Sequence, residues 1–156
     1  MSPENHGSKQ NDGADQSTES LVPARPHERR QVILLAEDDA IFRKLVTALM
    51  QRDGYLVLAA ADGWEGLQLS RQFPGAIDLL ITDVQMPRLN GIDLCAHLFR
   101  ERPAIRVLFV TGVNVSEFAV LNAGLPVLTK PINGLALRAK VRAILAERVR
   151  SANSSE

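Results

Sequence analysis

The sequence predicts an α/β fold in which helices cover both faces of a five-stranded parallel sheet. Short and nearly unbroken apolar runs, such as VILLA at 32–36, are typical of strands that are buried on both sides. Between these runs, apolar residues recur at helical spacing. Strands that alternate with helices form parallel sheets through right-handed crossovers. At 156 residues, 46% of them hydrophobic, the chain is long enough for one such domain.

The apolar runs locate the strands, and caps and stop signals locate the helices. Strands are predicted at 32–36, 55–60, 77–82, 105–111 and 126–129. The first helix should present Ile41, Leu45, Val46 and Leu49 on one face and end at Asp53 and Gly54. Asp62 is expected to cap the second helix. Two further helical patterns follow the third and fifth strands, whereas the pattern in SEFAVLNAG (116–124) predicts only a short or mobile helix.

The ends of the chain differ in composition from its middle. Residues 1–29 are polar and contain almost no apolar side chains, so they cannot bury enough surface to offset the entropy of ordering. We expect a disordered tail at 1–29, one folded domain at 30–150 and a short disordered tail at 151–156. Few residues follow the last predicted helix, so we expect a stand-alone domain without an effector domain.

The charge balance and the single cysteine exclude several classes of function. Basic and acidic residues number 18 each, so no overall field favours nucleic acid. Cys95 is the only cysteine, which excludes an internal disulfide and fits a reducing compartment. The longest apolar run is too short to span a bilayer, and no signal-peptide pattern is present. We therefore expect a cytoplasmic protein without a nucleic-acid or membrane partner.

Polar residues follow the predicted strands at the edge where a parallel sheet places its active site. Three adjacent acids follow the first strand, and one polar residue stands at the end of each of the third, fourth and fifth strands: Glu37, Asp38, Asp39, Asp83, Thr111 and Lys130. Converging carboxylates are costly unless a cation neutralises them. Oxygen ligands without His or Cys suit Mg²⁺. With Asp83 as nucleophile, and the threonine and lysine stabilising the transferred group, these residues predict a phosphoryl-acceptor site.

Four motifs in order, ILLAEDDAIFR, LLITDVQMPRLNGIDL, VLFVTG and LTKPI, span the predicted strand ends. With this order and spacing, residues 31–148 resemble the receiver domain of two-component response regulators, in its CheY-like, stand-alone form. The resemblance implies a flavodoxin-like sheet with strand order 2-1-3-4-5 and phosphorylation of Asp83. It also implies Mg²⁺ ligation by Glu37, Asp38, Asp83 and the Gln85 carbonyl, with Asp39 outside the ligand set. Thr111 would be the switch hydroxyl, and Lys130, before a cis Pro131, would pair with the phosphoryl group.

The resemblance also predicts partners and one departure from the family pattern. A sensor histidine kinase or a histidine phosphotransfer protein would donate the phosphoryl group, and the downstream target stays open. The protein would then be a phosphoacceptor that assists its own reaction, not an enzyme. Val127 stands where the family usually has the aromatic that reports phosphorylation. A phosphorylation-independent interaction module is the alternative. An aspartyl-phosphate phosphatase is excluded because Gln85 stands where its second aspartate would be.

Overall fold

Five parallel strands form a single sheet in the order β2-β1-β3-β4-β5. The computed structural model describes residues 29–113 and 124–153. The strands are β1 (Val32–Ala36), β2 (Leu56–Ala60), β3 (Leu79–Thr82), β4 (Arg106–Thr111) and β5 (Val127–Thr129). The helices in the described residues are α1 (Ala40–Arg52), α2 (Gly63–Gln72), α3 (Gly91–Glu101) and α4 (Gly134–Asn153). The predicted flavodoxin-like fold and its strand order are confirmed.

The strand register brings the carboxyl ends of the inner strands to one edge. Ala36 of β1 is paired with Thr82 of β3, so the residues that follow each of them emerge side by side. At the other side of β3, Thr111 of β4 is paired with Thr129 of β5. The three loops after β1, β3 and β5 therefore converge at the edge that the sequence predicted for the site.

Helix ends coincide with the expected caps. The Asp62 carboxylate accepts the Glu65 N–H at the start of α2, as predicted. Helix α1 ends at Arg52, before Asp53, and Gly54 follows with a φ of 96°, a conformation that glycine adopts without strain. The Lys130–Pro131 peptide bond is cis, as the resemblance implied.

Each face of the sheet carries its own hydrophobic core. One cluster joins the sheet to α2 and α3, with Leu67, Leu94 and Leu98 among its buried members. The other joins the sheet to α1 and α4, through Val46 on the first and Val141 on the second. Burial on both faces explains why β1 is apolar at every position.

The buried face of α1 differs in part from the predicted one. Ile41 is 82% exposed and Leu45 is 52% exposed. The predicted Val46 is buried and the predicted Leu49 packs against the same core, and Phe42 and Met50, which were not predicted there, join them. Apolar residues lie on two faces of this helix, and its packing against the sheet buries the face that carries Phe42, Val46 and Met50.

Some predictions fall wholly or largely outside the described residues. These are the disordered tail at 1–29, of which only Arg29 is described, and the short helix at 116–124. Arg29 forms a bidentate ion pair with the buried Asp78, which also accepts the Val32 N–H. Helix α4 continues to Asn153, a little beyond the domain boundary expected at 150. No helix in the described part of the chain combines the length and apolar character needed to cross a bilayer.

The core packing gives a first testable prediction. Leu80 of β3 is fully buried, whereas Leu135 of α4 is 72% exposed. We expect Leu80→Ala to lower the free energy of unfolding by about 3 kcal/mol because it removes buried methyl groups and leaves a cavity. Leu135→Ala, the matched control, should change it by less than about 0.5 kcal/mol. Urea denaturation measures both, and equal effects would contradict the assignment of the core.

Candidate functional site

One lysine joins two carboxylates at the carboxyl edge of the sheet. The Lys130 ammonium donates to Glu37 Oε2 at 3.0 Å and to Asp83 Oδ2 at 2.9 Å. Glu37 directly follows β1, Asp83 directly follows β3 and Lys130 directly follows β5. Glu37 is only 1% exposed, so its charge has little solvent to stabilise it and depends on the lysine.

The pKa shifts of this cluster reflect a balance between burial and pairing. Burial raises the pKa of Glu37, and the Asp39 N–H and the Lys130 ammonium offset only part of that rise. Burial lowers the pKa of Lys130, but its bonds to Asp83 and Glu37 outweigh burial, so the net shift is upward. Lys130 therefore remains a cation, and the site holds more negative than positive charge.

The Asp83 carboxylate is oriented by the backbone that follows it. Its Oδ1 accepts the N–H of Val84 at 2.6 Å and that of Gln85 at 3.3 Å, while Oδ2 faces Lys130. Gly91 packs against this turn, where an added Cβ would lie 1.8 Å from the Asp83 carbonyl oxygen. Only glycine permits this approach, which keeps the loop from β3 to α3 close to the Asp83 carboxylate.

The three adjacent acids after β1 have different environments. The Asp39 carboxylate caps α1 by accepting the N–H groups of Ile41 and Phe42. Glu37 Oε1 accepts the Asp39 N–H, and the Arg43 guanidinium donates to the Glu37 carbonyl at 2.7 Å. Asp39 is thereby engaged as a helix cap, while Glu37 is held inside the site.

The cluster offers oxygen donors suited to a hard divalent cation. Carboxylate oxygens of Glu37, Asp38 and Asp83 lie within 4.8 Å of one another. Asp38 is exposed and can turn toward a bound ion, whereas Glu37 and Asp83 are largely buried. Carboxylates with open positions for water or phosphate are the ligands that Mg²⁺ prefers. These residues therefore fit the ion that the sequence predicted.

Thr111 and Gln85 join the cluster through their main chains. Thr111 is fully buried at the end of β4, and its carbonyl accepts the Lys130 N–H at 2.9 Å. Its hydroxyl accepts the Val113 N–H at 3.3 Å. Gln85 contributes its N–H to Asp83, as described above. Of the predicted residues, Glu37, Asp38, Asp83 and Lys130 therefore bring their charged groups together, and Thr111 and Gln85 border them.

Two contacts at this edge of the sheet were not predicted from the sequence. The Phe42 ring lies beneath the Lys130 ammonium, 4.6 Å from nitrogen to ring centroid. Arg88, which has a φ of 70°, pairs with the Asp62 carboxylate and ties the β3–α3 loop to the start of α2. Neither contact could be predicted from a local sequence pattern, because each joins residues from separate elements.

Comparison with known proteins identifies the family. The family model described as the response regulator receiver domain matches residues 33–142. The chain belongs to this family. Receiver domains interact with histidine kinases or phosphotransfer proteins and generally bind Mg²⁺ at an acidic site. In this receiver domain the acidic cluster is formed by Glu37 and Asp38 after β1 and Asp83 after β3.

Similar proteins carry receiver domains in several contexts. The chain is 33% identical over 145 residues to the alkaline phosphatase synthesis transcriptional regulatory protein SphR of Synechococcus elongatus, covering 84% of this chain and 55% of that protein. It is 36% identical over 88 residues to the sensor kinase CckA of Brucella abortus, covering 56% of this chain and 9% of the kinase. A CheY-like receiver from Methanospirillum hungatei superposes with a TM-score of 0.71 at 28% identity, covering 79% of this chain and 99% of that one. The chain spans about half the length of the transcriptional regulators it matches.

The raised pKa of Glu37 gives a prediction for stability against pH. Because the folded state binds this proton more tightly, the stability Glu37 contributes is present below its usual pKa of 4.5 and is lost as pH rises through the raised value. The stability of the wild type relative to Glu37→Gln should therefore fall as pH rises above 4.5. Urea unfolding in a chelator, from pH 4 to neutrality, measures this difference.

The control for this prediction has the opposite sign. Arg138 lowers the pKa of Asp53 below its usual 3.8. The stability that Asp53 contributes is therefore present above this value and is lost as pH falls. Relative to Asp53→Asn, the wild type should thus lose stability as pH falls below 3.8, so this control is measured in a titration that continues below that pH. A constant difference between wild type and Glu37→Gln across the range would contradict the assigned environment of Glu37.

Proposed function

We propose that this receiver domain accepts a phosphoryl group on Asp83 from a phosphohistidine of a sensor kinase or a phosphotransfer protein. The observation that carries the proposal is the position of Lys130 between Glu37 and Asp83, beside a further exposed acid at Asp38. A lysine that neutralises carboxylates can also stabilise an incoming phosphoryl group. Buried ion pairs contribute little to stability, so stability alone does not account for a cluster of three carboxylates around one lysine.

Magnesium belongs to the proposed reaction. Glu37, Asp38, Asp83 and the Gln85 carbonyl would hold Mg²⁺, with Glu37 acting mostly through water. When bound, the ion supplies charge neutralisation between the acceptor carboxylate and the phosphoryl oxygens. The fit of this donor set to a hard cation supports the assignment.

The transfer itself is a displacement at phosphorus. An Asp83 carboxylate oxygen forms a bond to phosphorus while the bond from phosphorus to the donor histidine nitrogen breaks, and that nitrogen keeps the electron pair. Lys130 leaves the Asp83 oxygen and pairs with a phosphoryl oxygen. The Thr111 hydroxyl donates to another phosphoryl oxygen in place of accepting from the backbone. The protein is thus a phosphoacceptor that assists its own reaction, not an enzyme with a separate substrate.

The output would be a change in partner binding. Lys130 and Thr111 border the segment between β4 and β5, so their new bonds to the phosphoryl group would bias that segment. We propose that this activity takes place in the cytoplasm and that the receiver domain either binds a target or passes the group on in a relay.

A surface beside the site suits a protein donor. Ile41 and Leu45 lie one turn apart on α1 and are both more than half exposed. Ile41 lies at the start of this helix, where its N–H is bonded to the Asp39 carboxylate. An exposed apolar pair next to the acceptor supports a protein as phosphodonor, since apolar surface is buried on association.

The second candidate is a receiver fold that binds partners without being phosphorylated. Val127, the β5 residue three positions before Lys130, favours it because an aromatic is expected there by family resemblance. The two candidates differ in whether Asp83 is chemically used, and one experiment separates them.

Acetyl phosphate tests the proposal without knowledge of the donor. We expect intact-mass analysis to detect one added phosphoryl group on the wild type with Mg²⁺, and no addition with a chelator. Asp83→Asn should show none, because an amide is not a nucleophile here. Asp93→Asn is the matched control and should be phosphorylated like the wild type, since Asp93 only pairs with Asn90 at the start of α3.

Two results would contradict the proposal that Asp83 is phosphorylated. Phosphorylation of Asp83→Asn would place the acceptor elsewhere. If the wild type gains no phosphoryl group and binds neither Mg²⁺ nor beryllofluoride, the interaction module becomes the better account.

A further inference from the structure

An aromatic ring from α1 contacts the lysine of the site. The Lys130 nitrogen lies 4.6 Å from the centroid of the Phe42 ring, within the range of a cation–π interaction. The two residues come from opposite ends of the domain sequence, so only the fold brings them together. None of the roles assigned above to Glu37, Asp38, Asp83, Thr111 and Lys130 uses this ring.

The ring completes the surroundings of the ammonium group. An ammonium group has three N–H donors, and two of those on Lys130 are taken by Glu37 and Asp83. The Phe42 ring faces the same nitrogen. Its negative face favours a cation there without competing for a hydrogen bond. Lys130 is thereby held between the carboxylates instead of extending into solvent, which it could reach because its side chain is one-quarter exposed.

The position of the ring is itself determined by the acidic segment. The Phe42 N–H is bonded to the Asp39 carboxylate that caps α1. One residue further on, Arg43 holds the Glu37 carbonyl. The body of the Phe42 side chain packs on the core cluster of α1 and α4. The same short segment therefore places an acid on one side of Lys130 and an aromatic ring on another.

We propose that Phe42 is a positioning residue that holds the Lys130 ammonium beside Asp83, where it can pair with a phosphoryl oxygen during the transfer. This inference rests on the proposed function of the site. The ring acts through the lysine and does not touch the reacting atoms. It also gives the site an aromatic neighbour from α1, whereas β5 offers only Val127 at the position where family resemblance places one. Loss of the ring frees the lysine to sample orientations in which it cannot stabilise the phosphoryl group.

A ring-current measurement tests the contact, and a kinetic measurement tests its role. The chain contains four lysines, so lysine-selective ¹³C labelling gives a simple spectrum, and Lys130→Arg identifies the signal of Lys130. We expect the protons of its terminal CH₂ to be shifted upfield in the wild type. In Phe42→Leu that shift should be lost and the maximal rate of phosphorylation by acetyl phosphate should fall several-fold. Phe42→Tyr, which keeps the ring, should restore both.

The controls separate positioning from general damage. Phe99→Leu makes the same substitution on α3 and should leave the lysine shift and the rate unchanged. A lost shift with an unchanged rate in Phe42→Leu, or an unchanged shift, would overturn the inference. If the wild type itself accepts no phosphoryl group, the proposed function fails, and the role of Phe42 in transfer fails with it. The chemical shift of Lys130 still reports whether the contact between the ring and the lysine exists.

Discussion

Two carboxylates buried at one edge of a sheet repel each other, and the site depends on the single ammonium between them. Glu37 and Asp83 are separated by 46 residues of sequence, and Lys130 lies a further 47 residues along the chain. Removing one partner from a buried ion pair typically costs about 3–5 kcal/mol, because the remaining charge has neither water nor a partner. The lysine therefore neutralises the two carboxylates as long as no other cation is bound between them. A divalent cation can take over its contacts because the carboxylates favour any positive charge placed there, and the lysine can then pair with a phosphoryl oxygen.

The parallel sheet makes this convergence possible. Because β1 lies beside β3, and β4 lies between β3 and β5, the residues that follow these strands meet without any long loop reaching across the molecule. Both faces of the sheet are covered, so the strands are rigid and the charges stand at fixed separations. Helix α1 adds a second constraint. Its cap at Asp39 accepts the Phe42 N–H, and the Phe42 side chain packs on the core between α1 and α4.

Much of this arrangement could be read from local patterns. VILLA has the same bounds in the sequence and in the structure, and Asp62 caps α2 as expected, because burial on both faces and capping are local properties. The strand-end rule likewise selected Asp83 and Lys130. The exposure of Ile41 was not foreseen, because two helical faces were both apolar and only the packing of α1 on the sheet distinguishes them. The contact of Phe42 with Lys130 spans the domain sequence, so no local pattern encodes it.

The central claim is that Lys130 and a divalent cation share the same carboxylates. Calorimetric titration of Mg²⁺ into the wild type and Lys130→Met tests it directly, with Lys140→Met on α4 as the control. The account predicts that Mg²⁺ binds Lys130→Met at least about tenfold more tightly, since removal of a competing positive charge a few ångströms away favours a dication by more than about 1.4 kcal/mol. Equal affinities for the wild type and Lys130→Met would contradict it, because the cation would then lie outside the carboxylate pair that Lys130 joins.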